Sequence, residues 1–176
     1  MFGAGAEIIA IEDSDTVGWA ESATTFGEVN FRSAQTFVDN VLSELGTRQM
    51  SLLHIQVHGS PGGVAFGTDW VSSSSFGSYR ALFGRLTSKF EADSWVDLRA
   101  CEVGQNLPLL RQFRSLWNVA IIAGRGLQSN ILDANMGFYQ IIDSAGREFQ
   151  SFGAPPWVRY NGARRASRAI TSRLGF

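Results

Sequence analysis

The sequence is poor in the residues on which disulfide frameworks and most metal centres depend. It has one cysteine, Cys101, and two histidines among 176 residues. A single cysteine cannot form an internal disulfide, so the fold does not require an oxidising compartment. These three residues also lack the spacing of zinc ligands, and we therefore expect neither a metal nor another cofactor.

Long apolar runs and a basic leader are lacking as well. No stretch approaches the roughly 20 apolar residues that cross a bilayer, and the first five residues lack the positive and apolar regions of a secretory signal peptide. These absences predict a cytoplasmic protein without a membrane partner. Contents of 44% hydrophobic and 18% charged residues are typical of a globular protein, and the length fits one domain.

Basic residues are missing from the first thirty positions and collect near the carboxyl terminus. The arginines there lack interleaved aromatic residues, so we expect no nucleic-acid partner. They form a solvated face, an end-to-end contact with the acidic first segment, or a contact with an acidic partner. We assign residues 1–160 to a single domain and 161–176 to a basic tail, with a helix predicted over 162–174. The acidic residues of the first segment are Glu7, Glu12, Asp13, Asp15, Glu21 and Glu28, and the late arginines are Arg159, Arg164, Arg165, Arg168 and Arg173.

Hydrophobic periodicity predicts strands that alternate with helices. This alternation, followed by a hairpin, indicates an α/β fold in which a mostly parallel central sheet is flanked by helices and carries an antiparallel hairpin at one edge. Strands are predicted over residues 7–13, 51–57, 95–100 and 119–123, an edge or partner strand over 19–25, helices over 33–45, 76–90 and 107–117, and the hairpin over 137–143 and 148–152.

Two reactive side chains follow two of the predicted strands. His58 and Gly59 come directly after the strand at 51–57, and Cys101 comes directly after the strand at 95–100. In an α/β sheet with neighbouring parallel strands, both groups would lie at the carboxyl edge, where catalytic sites collect. A histidine beside a cysteine supplies a thiolate nucleophile and its proton shuttle.

The residues around these side chains resemble the caspase-like cysteine peptidases, which include caspases, metacaspases, gingipains, separases and bacterial CHAT-type domains. The likeness lies in the corner His58-Gly59-Ser60-Pro61-Gly62, a glycine-rich lip over 62–67, a helix, and a strand that ends in Ala100-Cys101. It covers roughly residues 51–124 and is closest to the bacterial branch, in which a similar corner and a Cys-x-Val string recur. The resemblance implies a three-layer caspase-like sandwich.

The same resemblance implies a cysteine endopeptidase that hydrolyses protein substrates through a His-Cys dyad. Cys101 would attack the scissile carbonyl, His58 would transfer the proton, and the N–H of Gly59 would help to hold the oxyanion. The local string, Arg99-Ala100-Cys101-Glu102-Val103, departs from the Gln-Ala-Cys of true caspases, whereas the spacing, with the histidine about 40 residues upstream, is compatible with the roughly 50 of caspases. Activating or receptor partners are compatible with the family.

Two arginines are candidate substrate-binding residues. Strand alternation places Arg99 on the same face as Cys101, at a position that lines the specificity pocket of caspases. A guanidinium there would favour an acidic residue before the cut. Alternatively, Arg99 pairs with Asp97 and has a structural role only. Arg125, at the end of the next strand, reinforces either a pocket or a surface.

Other interpretations remain open from the sequence. A catalytically inactive caspase-like module would bind a peptide or partner protein in the same groove without turnover. A flavodoxin-like binder of small ligands would use the cysteine for packing, since buried cysteines are usually inert. His54 lies on the face of Gln56 and His58, where it supports the site or, as we expect, is buried against a helix.

Overall fold

The computed structural model describes residues 5–12, 28–129 and 134–152. They form an α/β fold with a mixed, mostly parallel seven-stranded sheet, three α-helices and two small antiparallel sheets of three and two strands. The predicted strand at 19–25, the basic tail at 161–176 and its helix at 162–174 lie outside the described residues. The strands are β1 Ala6–Glu12, β2 Glu28–Phe31, β3 Met50–Gln56, β4 Gly59–Ser60, β5 Gly63–Phe66, β6 Asp69–Val71, β7 Phe90–Arg99, β8 Ala120–Gly124, β9 Leu127–Ser129, β10 Ala134–Met136, β11 Phe138–Ile142 and β12 Glu148–Phe152, and the helices are α1 Ala34–Leu45, α2 Phe76–Gly84 and α3 Leu107–Trp117.

The order of strands in the main sheet is β12-β11-β8-β7-β3-β1-β2. The five strands from β8 to β2 run parallel to their neighbours, whereas β11 pairs antiparallel with both β8 and β12. The predicted parallel sheet with an antiparallel hairpin at one edge is therefore confirmed. The five parallel strands β2, β1, β3, β7 and β8 bring their carboxyl ends to one edge of the sheet.

Helix α1 shows how local sequence sets these elements. The Ser33 hydroxyl accepts a hydrogen bond from the Thr36 N–H at 3.1 Å, and the Thr36 hydroxyl accepts one from the Ser33 N–H at 3.0 Å. This reciprocal capping satisfies two donors that the first turn would otherwise leave unpaired. Gly46 ends the helix with a positive φ of 56°, which glycine adopts without strain.

The three helices among the described residues all pack on one face of the sheet. Their apolar stripes join alternate residues of β1, β3, β7 and β8 in a single core. The described residues thus supply two of the three layers that the sequence predicted. The phenyl rings of Phe37, Phe66, Phe83 and Phe113 form the centre of the helical side, with neighbouring centroids about 5 to 6 Å apart.

The predicted helix at 76–90 is too long by one and a half turns. Helix α2 ends at Gly84, residues 87–89 form a 3-10 turn, and Phe90 begins β7. Phe90 is paired with Met50 of β3 and is buried, so the sheet register takes it out of the helix. Periodicity alone does not separate a helical apolar residue from the first residue of the next buried strand.

Candidate active site

The register of the sheet places His58 and Cys101 next to each other. Gln56 of β3 pairs with Arg99 of β7, and the Val57 N–H donates to the Arg99 carbonyl at 3.1 Å beyond the last paired residues. His58 and Cys101 each follow two residues after that pair. Two neighbouring parallel strands therefore bring the residues His58 and Cys101 to the same edge of the sheet.

Gly59 packs directly against the turn that carries the cysteine. A Cβ atom added to Gly59 would lie 2.7 Å from the Cβ of Ala100 and 3.1 Å from the carbonyl oxygen of Cys101. Real Cβ atoms essentially never approach another atom to 2.7 Å, so any larger residue at position 59 would push the histidine corner away from the turn at Cys101. Glycine is needed here for contact with the chain itself, in addition to the approach of substrate that the sequence suggested.

The glycine-rich lip folds into the small sheet β4-β5-β6. The Ala65 N–H donates to the His58 carbonyl at 2.9 Å, which joins the lip to the histidine corner. At its other end, Phe66 is fully buried among the phenylalanines of the helical layer, with its ring 5.0 Å from that of Phe37. The lip is thus anchored in the core, and Trp70 packs on Gly63 at its surface, where 48% of the tryptophan is exposed.

Cys101 is half-buried and lies in a sharp turn. Glu102 adopts the left-handed conformation, with φ of 56°, and its N–H donates to the Gly126 carbonyl at 2.8 Å. The main-chain N–H of Gln128 donates to the Cys101 sulfur at 3.4 Å. This contact joins the sulfur to β9.

His58 is exposed, and its main chain is fixed by a residue that sequence reasoning did not select. The carboxylate of Glu12, at the end of β1, accepts a hydrogen bond from the His58 N–H at 3.3 Å. Only 3% of Glu12 is accessible to solvent. No short motif joins residues so far apart in the chain; the only available signal was an acidic residue at the end of a predicted strand.

Arg99 takes part in a buried chain of polar groups on the face opposite the helices. Its Nε donates to Asp97 Oδ2 at 2.8 Å, and the same oxygen lies 2.8 Å from His54 Nδ1. His54 Nε2 lies 3.1 Å from Glu7 Oε1. This arrangement matches the alternative in which Arg99 pairs with Asp97. His54 is fully buried, and among the described residues its ring contacts Asp97 and Glu7, on the face opposite the described helices.

The surroundings of Asp97 shift its acidity. Burial by itself raises the pKa of the carboxyl group, but the Arg99 guanidinium and the His54 hydrogen bond outweigh burial and hold the pKa well below its ordinary value. Asp97 is therefore ionised at neutral pH. An ionised, buried carboxylate keeps both of its partners in place, since separating either one leaves uncompensated charge.

Arg125 directly follows β8, on the same edge of the sheet as His58 and Cys101. Its guanidinium contacts the Gly104 carbonyl at 3.5 Å and the Gln140 side-chain oxygen at 3.3 Å. Its carbonyl accepts a hydrogen bond from the Gln105 side chain at 2.9 Å. These contacts hold the turn after Cys101 against β8 and β11. A role of Arg125 in binding substrate stays a prediction.

Across residues 5–12, 28–129 and 134–152, the structure has no group of three or more His, Cys, Asp or Glu side chains that could hold a metal ion. No helix in this part of the chain is long and apolar enough to cross a membrane.

Comparison with known proteins gives one family match. The model of a family described as "Domain of unknown function (DUF4347)" matches residues 16–129, a span that contains both corners of the candidate site. No curated protein matches the chain.

Proposed function

This chain belongs to the DUF4347 family, whose model matches more than half of its 176 residues, and on that premise we propose that it is a caspase-like cysteine endopeptidase with His58 and Cys101 as its dyad. The observation that carries the proposal is the register of β3 and β7, after which His58 and Cys101 follow at equivalent positions at the carboxyl edge of a parallel sheet. The contact of Gly59 with Ala100 and Cys101 supports it, because it fixes the two corners against each other.

In the proposed reaction, the Cys101 thiolate attacks the carbonyl carbon of the scissile peptide bond. The carbonyl oxygen takes the negative charge and is held by the Gly59 N–H. As the tetrahedral species collapses, the C–N bond breaks and the proton held by His58 passes to the leaving amine. Water then attacks the thioester with His58 as base, which releases the acid product and regenerates the thiol.

The fold agrees with this assignment at the coarse level. A mostly parallel sheet with its helices and a lip after the histidine are features that the resemblance implies, and the structure adds a tight turn after the cysteine. The lip is anchored by Phe66, and the turn is packed so tightly that a Cβ on Gly104 would lie 2.6 Å from the Ala123 carbonyl oxygen. Rigid supports on both sides of a dyad favour catalysis, because small displacements of reacting groups cost large factors in rate.

Selectivity for an acidic residue before the cut remains a prediction that rests on Arg99 and Arg125. Arg99 is only 5% exposed and donates to Asp97, which neutralises its charge. We therefore expect no more than a weak preference for aspartate or glutamate. Cleavage of a peptide library by the purified chain, with Cys101→Ala as the blank, measures this preference directly.

Covalent labelling of Cys101 tests the activity. Because the chain has one cysteine, a peptidyl electrophile reports on that residue alone. We expect one label per chain, a rate lowered about 100-fold in His58→Ala, and no label in Cys101→Ala. Gln35→Ala, on the exposed side of α1, is the matched control and should label at the rate of the unchanged protein.

Two results decide against the peptidase. If Cys101 reacts no faster than a free thiol and His58→Ala labels at the same rate, the dyad does not exist. If labelling follows the expectation but no library peptide is cut, the alternative of a module that binds peptides without turnover replaces the proposal.

A further inference from the structure

We infer that Glu12 is a positioning residue for His58, and this inference rests on the proposed function. A dyad needs something that orients its imidazole, and the sequence offers no aspartate or asparagine in a recognisable motif for that purpose. The structure places a buried carboxylate on the main chain of His58 instead, from the neighbouring strand.

The position of Glu12 follows from the sheet. Ile11 of β1 pairs with Gln56, the last residue of β3. Glu12, the last residue of β1, therefore lies beside the residues that lead from β3 into the histidine corner. Its Oε2 lies 3.3 Å from the His58 nitrogen. The parallel pairing of β1 with β3 is thus sufficient to bring the carboxylate to the corner.

The two main-chain groups of His58 are held from opposite sides. Glu12 accepts from its N–H, and its carbonyl accepts from the Ala65 N–H of the lip at 2.9 Å. With both groups bonded, the backbone at His58 has little freedom to rotate, while the imidazole itself stays exposed. The direction of the Cα–Cβ bond is then set, and only the two side-chain torsions of His58 remain to be ordered when it acts on Cys101.

The burial of Glu12 makes its hydrogen bond with the His58 N–H important. A carboxylate that is removed from water needs hydrogen bonds in place of its hydration, so the Glu12 side chain, which is 3% exposed, depends on its donors. Glu7, also on β1, contacts the His54 ring and not the corner. The two glutamates of this strand therefore have different tasks, and Glu12 is the one that contacts the main chain of the dyad.

Glu12→Met and Glu12→Gln form a matched pair of variants. Methionine keeps the length and burial of the side chain but removes the strong acceptor, whereas glutamine keeps an acceptor oxygen. Glu44→Ala, on the outer side of α1, is the surface control. We would measure hydrogen exchange of the amide of residue 58 and the rate at which iodoacetamide alkylates Cys101, each with and without His58→Ala.

We expect Glu12→Met to lose protection at residue 58 and to lower the alkylation rate about tenfold, towards the rate of His58→Ala. Glu12→Gln should retain protection and stay within about threefold of the unchanged rate. In the His58→Ala background, Glu12→Met should have no further effect, because a positioning residue acts only through the group that it positions. If Glu12→Met does not fold, Glu12→Asp, which draws the carboxylate back from the amide, is expected to show the same loss.

The outcomes separate this inference from the proposed function. If Glu12→Met leaves the protection of residue 58 unchanged, or lowers the alkylation rate equally with and without His58, Glu12 has no positioning role. The proposed dyad is still supported in that case, provided that His58→Ala alkylates slowly. An alkylation rate that does not change in His58→Ala overturns the dyad and, with it, the positioning role.

Discussion

His54 Nδ1 and Asp97 Oδ2 lie 2.8 Å apart in the buried face of the sheet opposite the helices. The pair joins β3 to β7, the two strands that precede His58 and Cys101, and Arg99 adds a second bond to the same Asp97 oxygen. The two strands are therefore linked by charge on one face and by apolar packing on the other. We expect that a substitution that weakens this charged link also displaces His58 and Cys101.

The acidity of Asp97 predicts how stability depends on pH. The folded protein holds the pKa of this carboxyl below its value of about 3.9 in an unfolded chain. Its contribution to stability is therefore complete above about pH 4 and is lost as the pH falls below that value. Urea unfolding between about pH 3 and pH 7 should show this loss, and Asp97→Asn should flatten the acid limb. An Asp97→Asn variant with an unchanged acid limb would show that other carboxyl groups govern it.

Replacing Gly59 with alanine tests the contact between the two corners. The added Cβ would lie 2.7 Å from that of Ala100, and overpacking of this kind costs about 1 to 3 kcal/mol of the free energy of unfolding. We expect a lower denaturation midpoint and slower labelling of Cys101. Gly77→Ala is the control, since a Cβ there meets nothing within 4 Å. Equal behaviour of the two alanine variants would mean that the corners are not in close contact.

Phe66 predicts how the lip depends on the core. Its ring is fully buried between those of Phe37 and Phe83, and Phe66→Ala should lower the free energy of unfolding by about 3 to 5 kcal/mol. Phe152 is 83% exposed, so Phe152→Ala should have little effect on the same measurement. Chemical denaturation of both variants checks the difference. A Phe66→Leu variant that folds should still label Cys101 more slowly if the anchored lip holds His58 in place.

Much of the fold follows from local pattern. The capping residues and apolar spacing of α1, the proline at the start of α3 and the alternation of the edge hairpin each act within a few residues, and those elements are confirmed. The end of α2 was missed because Phe90 suits a helical stripe as well as the first position of a buried strand. The pair β9 and β10 was also missed, since three-residue strands carry almost no periodic signal.

From the sequence, only the residues that directly follow predicted strands could be assigned to the candidate site. His58, Gly59 and Cys101 could be placed together because carboxyl ends of neighbouring parallel strands share an edge. Glu12 could not, because its hydrogen bond goes to a main-chain amide and depends on which strand lies beside β3. Sequence spacing says nothing about that order, which is set by the packing of the whole sheet.

Substitutions of Arg99 can distinguish a structural role of this residue from a role in binding substrate. Arg99→Met removes the charge that neutralises Asp97 and leaves a carboxylate in a buried face, so we expect a loss of about 3 to 5 kcal/mol in the free energy of unfolding. Much of this loss should disappear in the double variant Asp97→Asn, Arg99→Met, because the two residues then no longer depend on each other. Urea denaturation of the single and double variants measures this coupling.

A role for Arg99 in the substrate pocket predicts the opposite pattern. Stability would change little, while the cleavage preference would shift away from acidic residues before the cut, since the guanidinium that attracts them has been removed. Measuring both quantities on the same variants distinguishes the two roles. The burial of the side chain and its bond to Asp97 lead us to expect the change in stability without the shift in preference.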